Sequence, residues 1–335
     1  MNISSIWMRD PFLLSIRDEK VLSSNAKFWL YGTTDKPPDS LSNPYAEFPG
    51  TGFNCYCSND LKKWNGPFPA FRKPDKFWAD TQFWAPEVYV YDGRLVMFAS
   101  MKKTGTNNER GVAILESTSG NPAGPFVPLK NSPITPPSWA CLDGTLHVEN
   151  GRPFMVFCRE WTQLGDGQMC AIELSKDLLS AVGKPVTLFS ASQAPWSKSF
   201  VSASSTHNSN FITDGPFLHR CASSGELVML WSSIGTNDKY CVGIARSTSG
   251  RVVGPWVHDK NPLFNRDGGH AMIASIGCER EHSTVTKTKP EHYILLLALH
   301  TPNRQLRRSH PELFGILEER EQTTGLAKFS LFDFL

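Results

Sequence analysis

Five short segments of the chain share one feature. Asp10 stands in RDPFLL, Glu87 in WAPEVYV, Asp143 in LDGTLHV and Asp214 in TDGPFLH; His270 takes the comparable place in GGHAMIA. Each segment opens a hydrophobic run, and the polar residue sits at its mouth. One aspartate before proline or glycine is an ordinary turn opener. Four acids and a histidine at comparable places ask for more. Carboxylates that converge repel one another, and burial raises their pKa values. A cluster of this kind suits acid–base transfer or the holding of a cation.

The elements that position these residues repeat. A second run follows each opening segment and ends in an aromatic: FWLYG, LVMFA, FMVFC and LVMLW, with Tyr31, Phe98, Phe157 and Trp231. A third run then ends in serine: FNCYCS, GVAILES, MCAIELS and CVGIARS. Seven or eight residues later comes a glycine, and three of the four copies continue as Gly-Pro-aromatic. A fifth, degraded copy holds YILLLALH, LFGILEE and Gly325. Runs of this length, rich in β-branched and aromatic residues, read as strands. YDGR, ENGR and SSGE read as hairpin turns, where glycine accepts positive φ. One such unit cannot bury both faces of its sheet, but five around an axis can. The expected fold is an all-β, five-bladed β-propeller in a single domain over residues 1–335. Its innermost strands bring their mouths to one end of a central channel, with all four acids and His270 in register.

Composition narrows the function. The net charge is +2 with no long basic or acidic run, which argues against nucleic acid or an anionic membrane as partner. Ten tryptophans suit a surface that stacks on sugar faces, though they also fill cores. The eight cysteines form no CxxC pair and no zinc spacing, so buried free thiols are expected. No apolar run is long enough to span a bilayer. The N-terminus carries no signal-peptide pattern. The chain as written reads as cytoplasmic, or as secreted or periplasmic if the N-terminus is trimmed.

RDPF, FWAPEV, LDGTL, TDGPF and GGHAM, in this order over a five-fold pattern, resemble glycoside hydrolase family 43. The resemblance covers roughly residues 7–303. It implies a five-bladed propeller that removes arabinofuranosyl or xylosyl units from plant-type polysaccharides or oligosaccharides with inversion. It makes Asp10 the general base, Asp143 the modulator of the acid's pKa and Asp214 the general acid. The family's acid is usually glutamate before Gly-Pro, so Asp214 is a departure. One methylene fewer withdraws the carboxyl by about 1.5 Å, a displacement that can cost about a hundredfold in rate. Glu160 in CREW is the alternative acid; otherwise it pairs with Arg159 or Arg220. Arg9, Trp84, Glu87, Trp161 and His300 are the expected substrate contacts, with Trp139 a further stacking candidate. Arg9 alternatively anchors Asp10, and Glu87 alternatively shapes the pocket without joining the ring. No cofactor is required; the resemblance places a structural calcium ion beside His270.

Other readings fit some of the same residues. A catalytically weak carbohydrate-binding propeller would accommodate the shorter acid. A protein-interaction propeller would not need buried acids. A glycoside phosphorylase would need an Arg or Lys cluster for phosphate, and none recurs at the strand mouths. The inserts 35–52, 189–213 and 278–292 are expected to rim the pocket, with the Ser-rich stretch 197–210 as a mobile loop.

Overall fold

A computed structural model describes residues 1–16, 26–34, 49–106, 110–203, 205–277, 293–303 and 308–334. They form five antiparallel four-stranded sheets, each built from consecutive strands. Blade one holds β1–β4 (Arg9–Ser15, Phe28–Thr33, Gly52–Ser58, Asn65–Arg72) and blade two β5–β8 (Thr81–Tyr91, Arg94–Lys102, Arg110–Ser117, Phe126–Pro128). Blade three holds β9–β12 (Cys141–Glu149, Arg152–Arg159, Gln168–Leu174, Ala181–Ser190). Blade four holds β13–β16 (Asp214–Arg220, Leu227–Ile234, Tyr240–Ser247, Trp256–His258). Blade five holds β17–β20 (Gly269–Gly277, Tyr293–Asn303, Arg308–Arg320, Ala327–Asp333). The fold is a five-bladed β-propeller.

The sequence repeat has a packing cause. Tyr31, Phe98, Phe157 and Trp231 are all fully buried, so the aromatic that ends each second run fills core around its blade. Asp92-Gly93 and Asn150-Gly151 both have positive φ at both residues, the two-residue hairpin geometry expected of DG and NG. The recurrent Gly-Pro bonds Gly66-Pro67, Gly124-Pro125 and Gly254-Pro255 are cis. All seven described cysteines are free thiols.

A β-bulge interrupts the mouth of every innermost strand, between Arg9 and Phe12, Trp84 and Glu87, Leu142 and Thr145, Asp214 and Phe217, and Gly269 and Met272. Within each bulge one residue takes the left-handed conformation: Asp10, Ala85, Asp143, Gly215 and His270, with φ of 52°, 46°, 56°, 50° and 51°. This corrects the expected ring. Asp10, Asp143 and His270 are in register with one another. Asp214 stands one residue earlier, and Glu87 two residues later.

The inserts 278–292 and most of 35–52 lie outside the described residues. The Ser-rich stretch is anchored near both of its ends. Lys198 donates its N–H to Ile234, and Phe200 and Asn210 exchange backbone hydrogen bonds. The Phe200 ring meets Trp161 edge-on at 5.0 Å.

Candidate active site

The bulges are joined around the axis by a chain of hydrogen bonds. The left-handed residue of one blade donates its N–H to a side chain on the second strand of the blade before it. Ala85 donates to Thr33 Oγ1 at 2.8 Å, Asp143 to Ser100 Oγ at 2.7 Å, and His270 to Ser232 Oγ at 2.9 Å. Asp10 donates to His300 Nδ1 at 3.0 Å, which closes the ring from blade five to blade one. Thr33, Ser100 and Ser232 are completely buried. At the remaining junction the second strand offers Cys158, a poor acceptor. Gly215 donates instead to Asp143 Oδ2 at 2.9 Å. That bond binds the Asp143 carboxylate to the blade-four mouth, directly beside Asp214.

Steric crowding explains why the blade-four acid is displaced. A Cβ on Gly215 would lie 2.8 Å from both Cα and Cγ of His270. The left-handed position of blade four therefore takes glycine, and the carboxylate moves to the preceding residue.

Arg9, Asp10, Trp84, Asp143, Glu160, Trp161, Asp214, Tyr240 and His270 line one cavity of about 140 Å³ at the strand mouths. His270 Nδ1 lies 3.4 Å from Asp10 Oδ1 and 3.6 Å from Asp143 Oδ2. Thr33 Oγ1 donates to Asp10 Oδ2 at 2.5 Å. Tyr240, which begins the third strand of blade four, donates its hydroxyl to Asp214 Oδ2 at 3.0 Å.

The environments separate the three aspartates. Burial would raise Asp10, but His270, Arg9, His300 and the Thr33 hydrogen bond outweigh it and hold the carboxyl at about 2. Burial and the charge of Asp10 push Asp143 up to about 8, against the Gly215 hydrogen bond. Asp214 is raised well above its ordinary range by burial, then by Asp143 and Glu160. Burial and mutual charge thus oppose ionisation of Asp143 and Asp214, while the surroundings of Asp10 favour it.

Glu160 is committed elsewhere. It sits between the second strand of blade three and a one-turn helix, Trp161–Leu164. Its Oε1 pairs with the buried Arg110, and its Oε2 accepts from Thr162 at 2.9 Å. The expected partners Arg159 and Arg220 are engaged otherwise: Arg159 stacks on Trp139 at 4.1 Å, and Arg220 donates to the carbonyls of Gly225 and Gly250. Arg110 lies 4.7 Å from the Trp84 ring centroid and Arg9 5.5 Å, so two guanidinium groups already sit over that indole.

Glu87 and His300 do not line the cavity. Glu87 is buried in the channel, where it accepts from Tyr89, whose hydroxyl also meets Thr145 Oγ1 at 2.7 Å. Burial lifts Glu87 to about 7. His300 lies behind Asp10, 5.8 Å from the Tyr240 ring centroid, and burial lowers it to about 4. Trp139 lines a neighbouring cavity. Thr33, Ser100, Ser232, Tyr240 and Arg110 were not singled out from the sequence. The hydroxyls had a visible signal, since FWLYGT, LVMFAS and LVMLWS each end their second run with one.

A cation near His270 is compatible with the residues there. His270 Nε2 is buried without a hydrogen-bond partner, and its ring acts electrostatically on Glu87. A free imidazole nitrogen and a buried carboxylate are donors that a hydrated hard cation can use. Among the described residues, the trio of ligand-type side chains within 4.8 Å of one another is His219, Cys221 and Glu318, which excludes His270.

The family model described as Glycosyl hydrolases family 43 matches residues 10–314. The chain belongs to this family. Among solved structures, an endo-arabinase from Bacteroides thetaiotaomicron is 36% identical, with a TM-score of 0.76 over 95% of this chain and 96% of that one. An endo-1,4-β-xylanase from the same organism is 22% identical (TM-score 0.65, covering 98% and 95%). An α-L-arabinofuranosidase from Lactobacillus brevis is 15% identical (TM-score 0.66, covering 96% and 93%). The last two show the shared fold. No curated protein matches the chain. This protein is a family 43 glycoside hydrolase.

Proposed function

We propose that the cavity hydrolyses arabinofuranosyl linkages of a plant-type oligosaccharide or polysaccharide with inversion at the anomeric carbon. Asp10 is the general base, Asp214 the general acid, and Asp143 keeps Asp214 protonated. The observation that carries this reading is the separation of Asp10 from Asp143 and Asp214 within one cavity. Titratable groups driven apart by their surroundings mark the base and the acid of a site. Asp10 takes a proton from water as the oxygen attacks, and Asp214 gives its proton to the departing glycosidic oxygen. Asp143, hydrogen-bonded to the backbone beside Asp214, forms with it a pair that cannot ionise together, since the charge of either opposes ionisation of the other, and the proton the pair keeps is available on Asp214. Arg9 and His270 hold Asp10 ionised. Trp84 and Trp161 wall the sugar site. The 36% identity to an endo-arabinase favours arabinofuranosyl over xylosyl linkages.

A calcium ion held at His270 Nε2 would add fixed positive charge to the ring of carboxylates. The second reading, a weakly catalytic binding propeller, is favoured by the short Asp214 and its bond to Tyr240. The reaction is tested with aryl α-L-arabinofuranoside and aryl β-D-xyloside, following the first-formed sugar by NMR. Release of arabinose with inverted configuration is expected. Retention, or no turnover of either glycoside, contradicts the assignment.

A further inference from the structure

A second group of chemically capable side chains lies at the far end of the propeller, where blade four meets blade five. The innermost strand of blade four runs from Asp214 at the mouth to Arg220, so His219 stands at its other end. The sequence there reads HRC, and residues two apart on an extended chain share a face. Cys221 is fixed by a tight turn: its N–H donates to Glu226 O at 2.8 Å, and its carbonyl accepts from Gly225 at 2.9 Å. Glu318 enters the junction from the third strand of blade five. Its Oε2 meets His219 Nε2 at 2.7 Å, and its Oε1 accepts the Ser223 N–H at 2.7 Å. The ligand atoms of His219, Cys221 and Glu318 all lie within 4.8 Å of one another.

The charges at this junction suit a cation. The Glu318 side chain is 4% exposed, and its imidazole partner carries charge only when protonated. Arg246 is already taken by Glu226 at 3.3 Å and Asp259 at 2.6 Å. Buried charges are paired or coordinate metals. Cys221 is also buried, at 1% exposure, and its thiol is free. Imidazole, thiol and carboxylate are together the donor types of zinc. Tetrahedral coordination with bonds of about 2.0–2.3 Å needs ligand atoms about 3.3–3.6 Å apart. Side-chain rotation brings a trio already within 4.8 Å to that spacing.

We propose that His219, Cys221 and Glu318 bind a zinc ion that pins blade five to blade four at the end opposite the aspartates. Three protein ligands leave the fourth position to water. Binding releases the Cys221 thiol proton to solvent and leaves the imidazole proton on Nδ1, so that His219 Nε2 and the thiolate both face the ion. The Ser223 N–H stays on Glu318 Oε1 and orients the carboxylate while Oε2 binds. Titration of the EDTA-treated full chain with cobalt(II) tests the site, because a thiolate–cobalt bond adds a charge-transfer band in the near ultraviolet. The wild type is expected to take up one equivalent and to show that band. Cys221→Ser should lose it. Glu318→Gln should weaken binding by about tenfold or more. Cys57→Ser, which removes the half-buried thiol of blade one, should change neither. Added zinc should raise the melting temperature of the wild type but not that of Cys221→Ser. Melting of the metal-free variants near the metal-free wild type shows that they fold; where Cys221→Ser does not, Glu318→Gln decides. A wild type without the band overturns the site. So does a band that persists in Cys221→Ser, one that is lost in Cys57→Ser, or an affinity unchanged in Glu318→Gln.

Discussion

Thr33 shows how much one side chain can carry at this site. Its hydroxyl accepts the Ala85 N–H and donates to Asp10, so it joins two blades and orients the proposed base. A hydrogen bond to a carboxylate favours the charged form. Thr33→Val should therefore raise the Asp10 pKa from about 2 and move the acid limb of kcat/KM to higher pH. It should also cost about 1–3 kcal/mol in denaturant unfolding, because a buried N–H loses its acceptor. An unshifted acid limb would separate Thr33 from the base. That Asp10, Asp143 and Asp214 stand together at the strand mouths was legible from residue type and neighbours. The Arg110–Glu160 pair was not, because the two residues lie 50 positions apart on different blades and carry no local pattern.

At the scale of elements, the bulge is the unit that makes the site. Each left-handed non-glycine residue costs roughly 1–2 kcal/mol, and such strain persists where surrounding structure over-determines it. Here the inter-blade hydrogen bonds provide that restraint. Ser232→Ala should leave the His270 N–H unpaired and lower stability by about 1–3 kcal/mol, with a fall in kcat as His270 loosens against Asp10 and Asp143. Unchanged stability and kcat would remove the ring from the account. Strands and blades were legible because apolar periodicity and the recurrent aromatic report packing directly. Register was not. Asp214 sits one residue from its counterparts because no Cβ fits beside His270, and Glu87 falls beyond its bulge, into the channel. Neither offset leaves a trace in spacing alone.

For the whole molecule, the buried acids make stability depend on pH. Asp143 rises from 3.8 to about 8 and Glu87 from 4.5 to about 7, and Asp214 shifts the same way. Between those limits the folded state binds more protons than the unfolded chain, so stability falls as pH rises. Asp10 acts oppositely: its folded value of about 2 stabilises above 3.8 and is lost as pH falls through about 2. The melting temperature should therefore be higher at pH 6.5 than at pH 8, above the range where His300 and His258, lowered to about 4, act oppositely, and Asp143→Asn should flatten that slope. A wild type that melts equally or higher at pH 8 would mean that the carboxylates are not held protonated in the fold.

The assignment of Asp214 as proton donor is the centre of the account, and leaving-group dependence tests it most directly. Nitrophenolate departs without protonation, whereas a sugar alkoxide requires a proton from the acid. Hydrolysis of 2,4-dinitrophenyl arabinofuranoside and of linear arabinohexaose should be compared in wild type, Asp214→Ala and Glu160→Ala. Asp214→Ala is predicted to lose about a hundredfold or more on the hexaose and far less on the dinitrophenyl glycoside. Glu160→Ala should lose to a similar extent on both, as expected of a residue that positions Arg110 and Trp84. A leaving-group split in Glu160→Ala, or its absence in Asp214→Ala, would contradict the account.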